Sequence, residues 1–369
     1  MSTKLPGIYV HLPFCSVHCI YCDFPLTTRL SLSDRYYQAL LQEFKDHPPE
    51  LPCDTLYFGG GTPSLAPIEV LKKMIDSVPL TNDAEITLEA NPDHVSEHIL
   101  SEWKKIGINR LSLGIQSLQE NVLKTMLRQH SKEQALTNLF LARSGGFKNI
   151  NVDLILGFPG QTPNEFLSDV EELIAFKPDH FSIYLLELHE KTGLYRLVQS
   201  GKSEIMRDED QVSSFQFAIQ KLESAGYEHY EVSNFAIPGK RSRHNLKYWT
   251  DAPYYAYGAG ACAYYDQQRT KNHGDVLRYI EAMEQHQSIY EENIMESEDT
   301  RARNALIFGL RKTEGVNIPA FIAQYQRDPR ELFRRDIDEF AGLLDVQDGH
   351  LKLTERGLLL SNEILSDAL

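Results

Sequence analysis

The sequence predicts an α/β fold, a partial parallel (β/α)6 barrel followed by a smaller C-terminal α+β domain. Short apolar runs alternate with amphipathic stretches through the first half of the chain. The residues best suited to chemistry fall at the ends of those runs. A length of 369 residues exceeds what a single core usually organises, so a second, smaller unit is expected.

Residues 8–11, 55–58, 86–89, 110–114, 150–156 and 181–185 are short runs of mostly apolar side chains, the pattern of buried parallel strands. Between them, residues 33–46, 95–106, 132–144 and 162–175 repeat apolar side chains at helical spacing. Strand and helix in alternation imply a parallel sheet, and some six such units imply an open or partial barrel. Thr162, Pro163 and Glu165 start the last of these helices. The Thr hydroxyl caps orphan amides, Pro suits the first helical position, and Glu reaches back to the cap.

From Asp299 onward come helices, then residues 344–347 and 351–353 around the hairpin signal Asp348-Gly349, then a helix from Thr354. Helices with a small hairpin resemble a winged helix, a fold that often binds DNA. Charge argues against that use, since this segment holds 10 Lys and Arg against 12 Asp and Glu. The expected units are a core at 1–240, a connector at 241–298 and a winged-helix-like domain at 299–369, which would cap the barrel mouth or face a partner.

A net charge of -15 disfavours nucleic acid or an anionic membrane surface as the main partner. No run of 18 apolar residues is present, so no membrane span is expected, although a local patch would still allow transient docking. The first residues lack the apolar core of a signal peptide, and the expected location is the cytoplasm. Five cysteines in such a chain suit a reducing compartment, where clustered thiols bind metal or react.

Three of those cysteines, Cys15, Cys19 and Cys22, form Cys-x3-Cys-x2-Cys. Thiolates hold iron–sulfur clusters, and a [4Fe-4S] cube held by three of them leaves one iron open to another ligand. A zinc site completed by His11 or His18 and a disulfide are the alternatives. Zinc knuckles usually come as paired Cys-x-x-Cys motifs, and no second pair exists here.

In a parallel barrel, reactive groups gather at the C-terminal ends of the strands. The cysteine loop follows the first strand. Gly59-Gly60-Gly61-Thr62-Pro63 follows the second, where missing side chains let backbone amides approach a ligand, or simply permit a tight turn. Glu89 ends the third strand and Gln116 the fourth. Asp153 stands inside the apolar run 152–156, and a carboxylate there is costly unless paired or bound to a ligand. Glu89 and Gln116 equally suit sheet-end polar residues, and Arg128 suits a surface ion pair.

Taken together, Tyr9-Val10-His11-Leu12-Pro13-Phe14-Cys15, Cys-x3-Cys-x-Tyr-Cys, Gly-Gly-Gly-Thr-Pro, Glu-Ala-Asn-Pro, Gly-Ile-Gln-Ser and Asp153-Leu-Ile-Leu-Gly-Phe-Pro-Gly carry a resemblance. The chain is similar, over nearly its whole length, to radical S-adenosylmethionine (SAM) proteins, in the group of coproporphyrinogen dehydrogenases and HemW-type haem chaperones. The resemblance implies that Cys15, Cys19 and Cys22 bind iron, and that the open iron binds the amino and carboxylate groups of SAM. One electron from the cluster would then cleave the sulfonium bond. It implies that Tyr9 and Tyr21 flank SAM, that Gly60, Gly61 and Thr62 line its methionine end, and that Glu89, Gln116, Arg128 and Asp153 make further nucleotide or second-ligand contacts. Leu127 stands where the family more often has glycine.

The group has two branches, one oxidising a porphyrinogen and one carrying haem. The dehydrogenases follow the third cysteine with Cys-x-Cys, whereas Cys22 here precedes Asp23-Phe24. They also carry a long N-terminal extension, whereas fourteen residues precede Cys15. His244-Asn245-Leu246-Lys247-Tyr248-Trp249 matches the His-Asn-x-x-Tyr-Trp motif associated with haem in the chaperones, making 241–298 a haem-motif connector. Imidazole is an axial haem ligand, and Tyr248 and Trp249 offer flat apolar surface; without the motif, a hydrogen-bonded His and packed aromatics would explain them equally. Related proteins usually place histidine where Cys262 stands; a thiolate also ligates haem iron, but a free buried cysteine is the commoner role. Cys53 reads as structural. The expectation is a haem chaperone with a [4Fe-4S] cluster, SAM and haem, delivering to haem-acceptor proteins. The alternatives are an oxygen-independent coproporphyrinogen III dehydrogenase and a zinc-stabilised binding module.

Overall fold

The structure, a computed structural model, describes residues 4–332 and 342–366. Residues 333–341 and 367–369 of the expected C-terminal domain lie outside the described residues, as do residues 1–3, the start of the segment read against a signal peptide.

Strand and helix alternate as the apolar runs predict: β1 (Gly7–Leu12), α1 (Ser33–Asp46), β2 (Cys53–Gly60), α2 (Ile68–Asp76), β3 (Leu80–Ala90), α3 (Glu97–Lys105), β4 (Arg110–Gln116), α4 (Glu120–Met126), α5 (Lys132–Ser144), β5 (Ile150–Leu156), α6 (Pro163–Ala175) and β6 (His180–Leu185). All adjacent pairs from β1 to β6 are parallel. This is the partial (β/α)6 barrel expected. Ile8, Val10, Leu56, Phe58, Leu88, Leu111 and Leu113 are fully buried, the near-continuous apolar reading of strands covered on both faces. In α1, Tyr36, Leu40 and Phe44 recur every four residues and face that core. The capping box at α6 forms as read, with Thr162 and Glu165 each bonding the other's backbone amide.

After β6 the chain runs through α7 (Gly193–Gln199), α8 (Asp208–Ser224), β7 (Glu228–Glu231), β8 (Asn234–Ala236), α9 (Arg243–Trp249), β9 (Tyr254–Tyr257), β10 (Cys262–Tyr265), β11 (Gln268–Asn272), α10 (Val276–Glu284) and β12 (Tyr290–Met295). These strands extend the sheet at both sides, in the order β12-β11-β10-β9-β1-β2-β3-β4-β5-β6-β8-β7. Residues 241–298 are thus woven into the main sheet, and Tyr257, Val276, Tyr279 and Ile280 share its core. Sequence periodicity missed β7 to β12 because these strands are only three to six residues long, too short to show a pattern, and the edge strand β12 is nearly all exposed.

The C-terminal part has its own core, built from Ala302, Leu306, Leu310, Phe321, Leu351, Leu353 and Leu358. It contains α11 (Glu298–Gly309), β13 (Val316–Asn317), α12 (Ile318–Tyr325), α13 (Pro329–Leu332), β14 (Leu344–Gln347), β15 (His350–Leu353), α14 (Glu355–Leu359) and α15 (Ser361–Ser366). The hairpin β14–β15 turns at Asp348-Gly349 as predicted, and Thr354 caps α14.

Candidate functional site

The cysteine loop after β1 and the glycine loop after β2 are strapped together by backbone. Gly61 N–H donates to the Leu12 carbonyl and Thr62 N–H to the Phe14 carbonyl, both at 2.9 Å, while Cys15 N–H reaches the Thr27 carbonyl at 3.1 Å. The Thr62 hydroxyl donates to Cys15 Sγ at 3.2 Å. Gly60 has φ +117°, and a Cβ there would lie 2.7 Å from the His11 ring. At Gly61 a Cβ would meet the Pro13 backbone at 2.7 Å and Cys15 Sγ at 3.0 Å. Both positions therefore require glycine, for close approach and, at Gly60, for conformation.

These loops form one end of a cavity of about 550 Å³. Cys15, Cys19, Cys22, Tyr21, Gly60, Gly61, Thr62, Glu89, Gln116, Arg128 and Asp153 all line it. The sequence-named residues from six separate segments thus meet in one chamber. Glu89 accepts from the Tyr57 hydroxyl at 2.8 Å and from Gly60 N–H at 3.3 Å. Burial pushes its carboxyl up to about 7, against the pull of the Tyr57 bond. Asp153 accepts from Ser112 at 3.1 Å and from Asn151 at 2.7 Å, and burial raises its carboxyl too. Arg128 donates to Asn91 Oδ1 at 2.8 Å and the Gly114 carbonyl at 2.5 Å, and leans toward Cys19 Sγ at 3.8 Å. Gln116 holds φ +67°, a left-handed conformation that only surrounding structure sustains in a residue with a side chain.

The donor set suits an iron–sulfur cube better than a zinc ion. Among the described residues no group of three or more His, Cys, Asp or Glu side chains gathers closely enough for a single metal ion. Three thiols spread along one cavity wall match a cube, in which each cysteine binds a different iron. Of the two candidate fourth ligands for zinc, His11 has both ring nitrogens engaged and His18 has one. His11 bonds the Pro25 carbonyl at 2.7 Å and the Tyr9 hydroxyl at 3.1 Å, and His18 bonds the Cys22 carbonyl at 3.1 Å. All five cysteines are free thiols, so the disulfide alternative falls as well. Burial raises the Cys15 and Cys22 thiols, Cys22 to about 12, so thiolates there depend on the positive charge of a bound metal.

Four sequence-named residues lie outside this chamber. Tyr9 stacks on Tyr57 and His244, at ring separations of 6.1 Å and 6.4 Å. His244 is 1 % exposed, and its two ring nitrogens are bonded to Thr55 Oγ1 and the Tyr248 hydroxyl, each at 2.8 Å. Tyr248 and Trp249 line a second cavity of about 190 Å³ with Tyr254, Tyr264, Arg269 and Phe308. That is below the ~300 Å³ at which ligand pockets begin, whereas the first cavity falls within their range. Cys262, read as a buried thiol, is exposed on β10 because it sits beside the sheet's polar edge strands.

Sequence reasoning missed the polar row inside the barrel: Tyr57, Arg110, Ser112, Asn151, Ser182 and Tyr184 also line the main cavity. The signal was present as polar side chains two apart in otherwise apolar strands, Arg110 and Ser112 in β4 and Asn151 and Asp153 in β5.

Comparison with known proteins shows the family and the fold. The radical SAM superfamily matches residues 9–173, and the HemN C-terminal domain matches residues 297–360. The chain is 34% identical to the Heme chaperone HemW of Bacillus subtilis over 98% of both chains. It is 35% identical to the Heme chaperone HemW of Escherichia coli over 70% of each. It is also 30% identical to the mitochondrial radical S-adenosyl methionine domain-containing protein 1 of Danio rerio, covering 99% of this chain and 88% of that one. Among solved structures, coproporphyrinogen III oxidase (HemN) of Escherichia coli superimposes with a TM-score of 0.85 at 22% identity, over 99% of this chain and 90% of that one. At that identity the match speaks for the fold alone.

Proposed function

The chain belongs to the family of HemW-type haem chaperones within the radical SAM superfamily, and from that premise we propose that it binds haem and passes it to an acceptor protein. The observation that carries this is similarity to haem chaperones along the full length, from the cysteine loop through the C-terminal domain. The chain carries a [4Fe-4S] cluster and SAM, which together supply one-electron cleavage chemistry when bound.

Its own residues hold these groups. Cys15, Cys19 and Cys22 are the iron ligands in this reading, and Thr62 hydrogen-bonds the first of them. Gly60 and Gly61 leave the backbone bare beside the methionine end of SAM. Glu89 and Asp153 accept from its hydroxyl groups, and Tyr21 and Gln116 complete the walls, while Tyr9 stands behind them, stacked on the cavity-lining Tyr57. Arg128, fixed by Asn91 and Gly114, places a cation beside Cys19.

Haem is assigned to the motif on α9. His244 reaches haem iron only after α9 shifts and the bonds to Thr55 and Tyr248 break, which makes uptake a gated step. Asn245 of the same motif already lines the main cavity, so such a shift opens one chamber toward the other. No helix among the described residues is long and apolar enough to cross a membrane. We place the protein in the cytoplasm, with haem-acceptor proteins as partners reached by transient docking.

One observation favours the oxidative alternative, namely a polar cavity beneath the cluster loop that extends well into the barrel. Mixing the haem-loaded, anaerobically reconstituted protein with an apo-haem protein decides between them. Movement of the Soret absorbance to the acceptor is expected. No transfer, together with SAM-dependent decarboxylation of coproporphyrinogen, would overturn the chaperone reading.

A further inference from the structure

The main cavity ends at a cation that no carboxylate among the described residues hydrogen-bonds. Arg110 is the first residue of β4, is 1 % exposed and lines the cavity. Its Nε has no hydrogen-bond partner, and the guanidinium takes part in no ion pair among the described residues. Thr87, its register partner on β3, is fully buried with its hydroxyl also unpartnered. Leaving a buried donor unpaired is costly, and more so for a charged one. Arg110, the member of this pair that lines the cavity, is thus left with hydrogen-bonding capacity that the nearby carboxylates Glu85 and Asp153 do not take up. Burial opposes the charge on Arg110, but Glu85, Tyr57, Tyr230 and Asp153 outweigh it, so the side chain stays cationic.

Position narrows the acceptor. The cysteine and glycine loops stand at the C-terminal ends of the strands, and seven-residue β4 separates Arg110 from Gln116 by about 20 Å. Arg110 is therefore remote from the methionine end of SAM. It is close to α9 instead, since Glu85 accepts from His244 N–H at 3.3 Å, and Asn245 lines the same cavity. A guanidinium prefers a carboxylate, which it can bind through two parallel hydrogen bonds.

We propose that Arg110 binds a propionate carboxylate of haem at the end of the cavity that α9 closes. This rests on the chaperone reading and gives its ligand a polar anchor separate from the axial histidine. Haem entering past α9 would present its iron toward His244 and a propionate toward Arg110.

The test is an anaerobic absorbance titration of the reconstituted protein with haem and with haem dimethyl ester, whose propionates are blocked, for the wild type, Arg110→Gln and Arg110→Lys. The wild type is expected to bind the ester about ten- to a hundredfold more weakly than haem. Arg110→Gln is expected to bind both equally, with iron content unchanged, and Arg110→Lys to recover part of the preference. Equal wild-type affinity for haem and its ester overturns the assignment without reference to any variant. So does an Arg110→Gln protein that keeps the preference, or one that loses SAM affinity while binding haem normally. A wild type that binds neither compound overturns the chaperone reading itself, and this assignment with it.

Discussion

Thr62 donates its hydroxyl proton to the sulfur of Cys15 across 3.2 Å, joining the glycine loop after β2 to the cysteine loop after β1. The bond connects two loops that otherwise share only backbone contacts, and it falls on a residue assigned to iron.

Replacing Thr62 by valine keeps the shape and removes that bond. A hydrogen bond to a ligand sulfur favours the more negative, reduced cluster. Its loss, worth about 1 kcal/mol, should lower the cluster potential by about 40 mV. A redox titration followed by electron paramagnetic resonance reads the shift; an unchanged potential would mean that Cys15 does not bind the cluster in this geometry.

Gly60→Ala should fail by strain rather than by chemistry. The new methyl would meet the His11 ring at 2.7 Å, in a backbone conformation of φ +117°. His11 has little room to yield, because Pro25 and Tyr9 hold both of its ring nitrogens. A loss of about 1–3 kcal/mol in urea unfolding is expected, with reduced iron content after reconstitution. The same substitution at Gly239, also at positive φ but with open space around it, should leave iron content unchanged.

Glu89 should make SAM binding depend on pH. Burial, chiefly, raises its carboxyl from the ordinary 4.5 to about 7, so below that pH it carries a proton and is a poorer acceptor. SAM affinity is expected to rise as pH increases through 7, and Glu89→Gln to flatten that rise. The same shift has the opposite sign for the unliganded fold. The folded state holds the proton more tightly than the unfolded one, so this group's contribution to stability is present below 4.5 and is lost as pH rises toward 7. Equilibrium dialysis between pH 6 and 8 checks the first effect, and urea unfolding of the apoprotein checks the second.

His244 and Tyr248 should act oppositely on haem. Tyr248→Phe removes one of the two bonds that hold the His244 ring, which loosens α9 and should speed haem association in stopped-flow absorbance. His244→Ala should weaken haem affinity about tenfold or more while leaving SAM affinity in place. Equal association rates in the wild type and Tyr248→Phe would show that α9 does not gate entry.

Much of the site was readable because its residues have few other uses. Three closely spaced thiols in an acidic chain, and a carboxylate at Asp153 within an apolar strand, each need a ligand or a partner. The six parallel strands were readable for a related reason, since burial on both faces leaves a continuous apolar run. Arg110 and Ser112 left a trace, polar side chains two apart in an apolar strand, but sequence alone does not tell whether that face of a doubly covered strand turns toward a cavity. The strands β9 to β12 were hidden by their shortness, and β12 also by its exposed polar side chains. The His-Asn-x-x-Tyr-Trp motif was visible, but not that Thr55 and Tyr248 hold its imidazole away from solvent; that depends on how α9 packs on β1 and β2.

The most direct measurement is a haem titration of the anaerobically reconstituted protein, followed by absorbance, for the wild type and His244→Ala, with coproporphyrinogen turnover assayed on the same sample. Saturable, stoichiometric haem binding that weakens in the variant, with no protoporphyrinogen formed, is the predicted result. SAM-dependent protoporphyrinogen formation without saturable haem binding would contradict it.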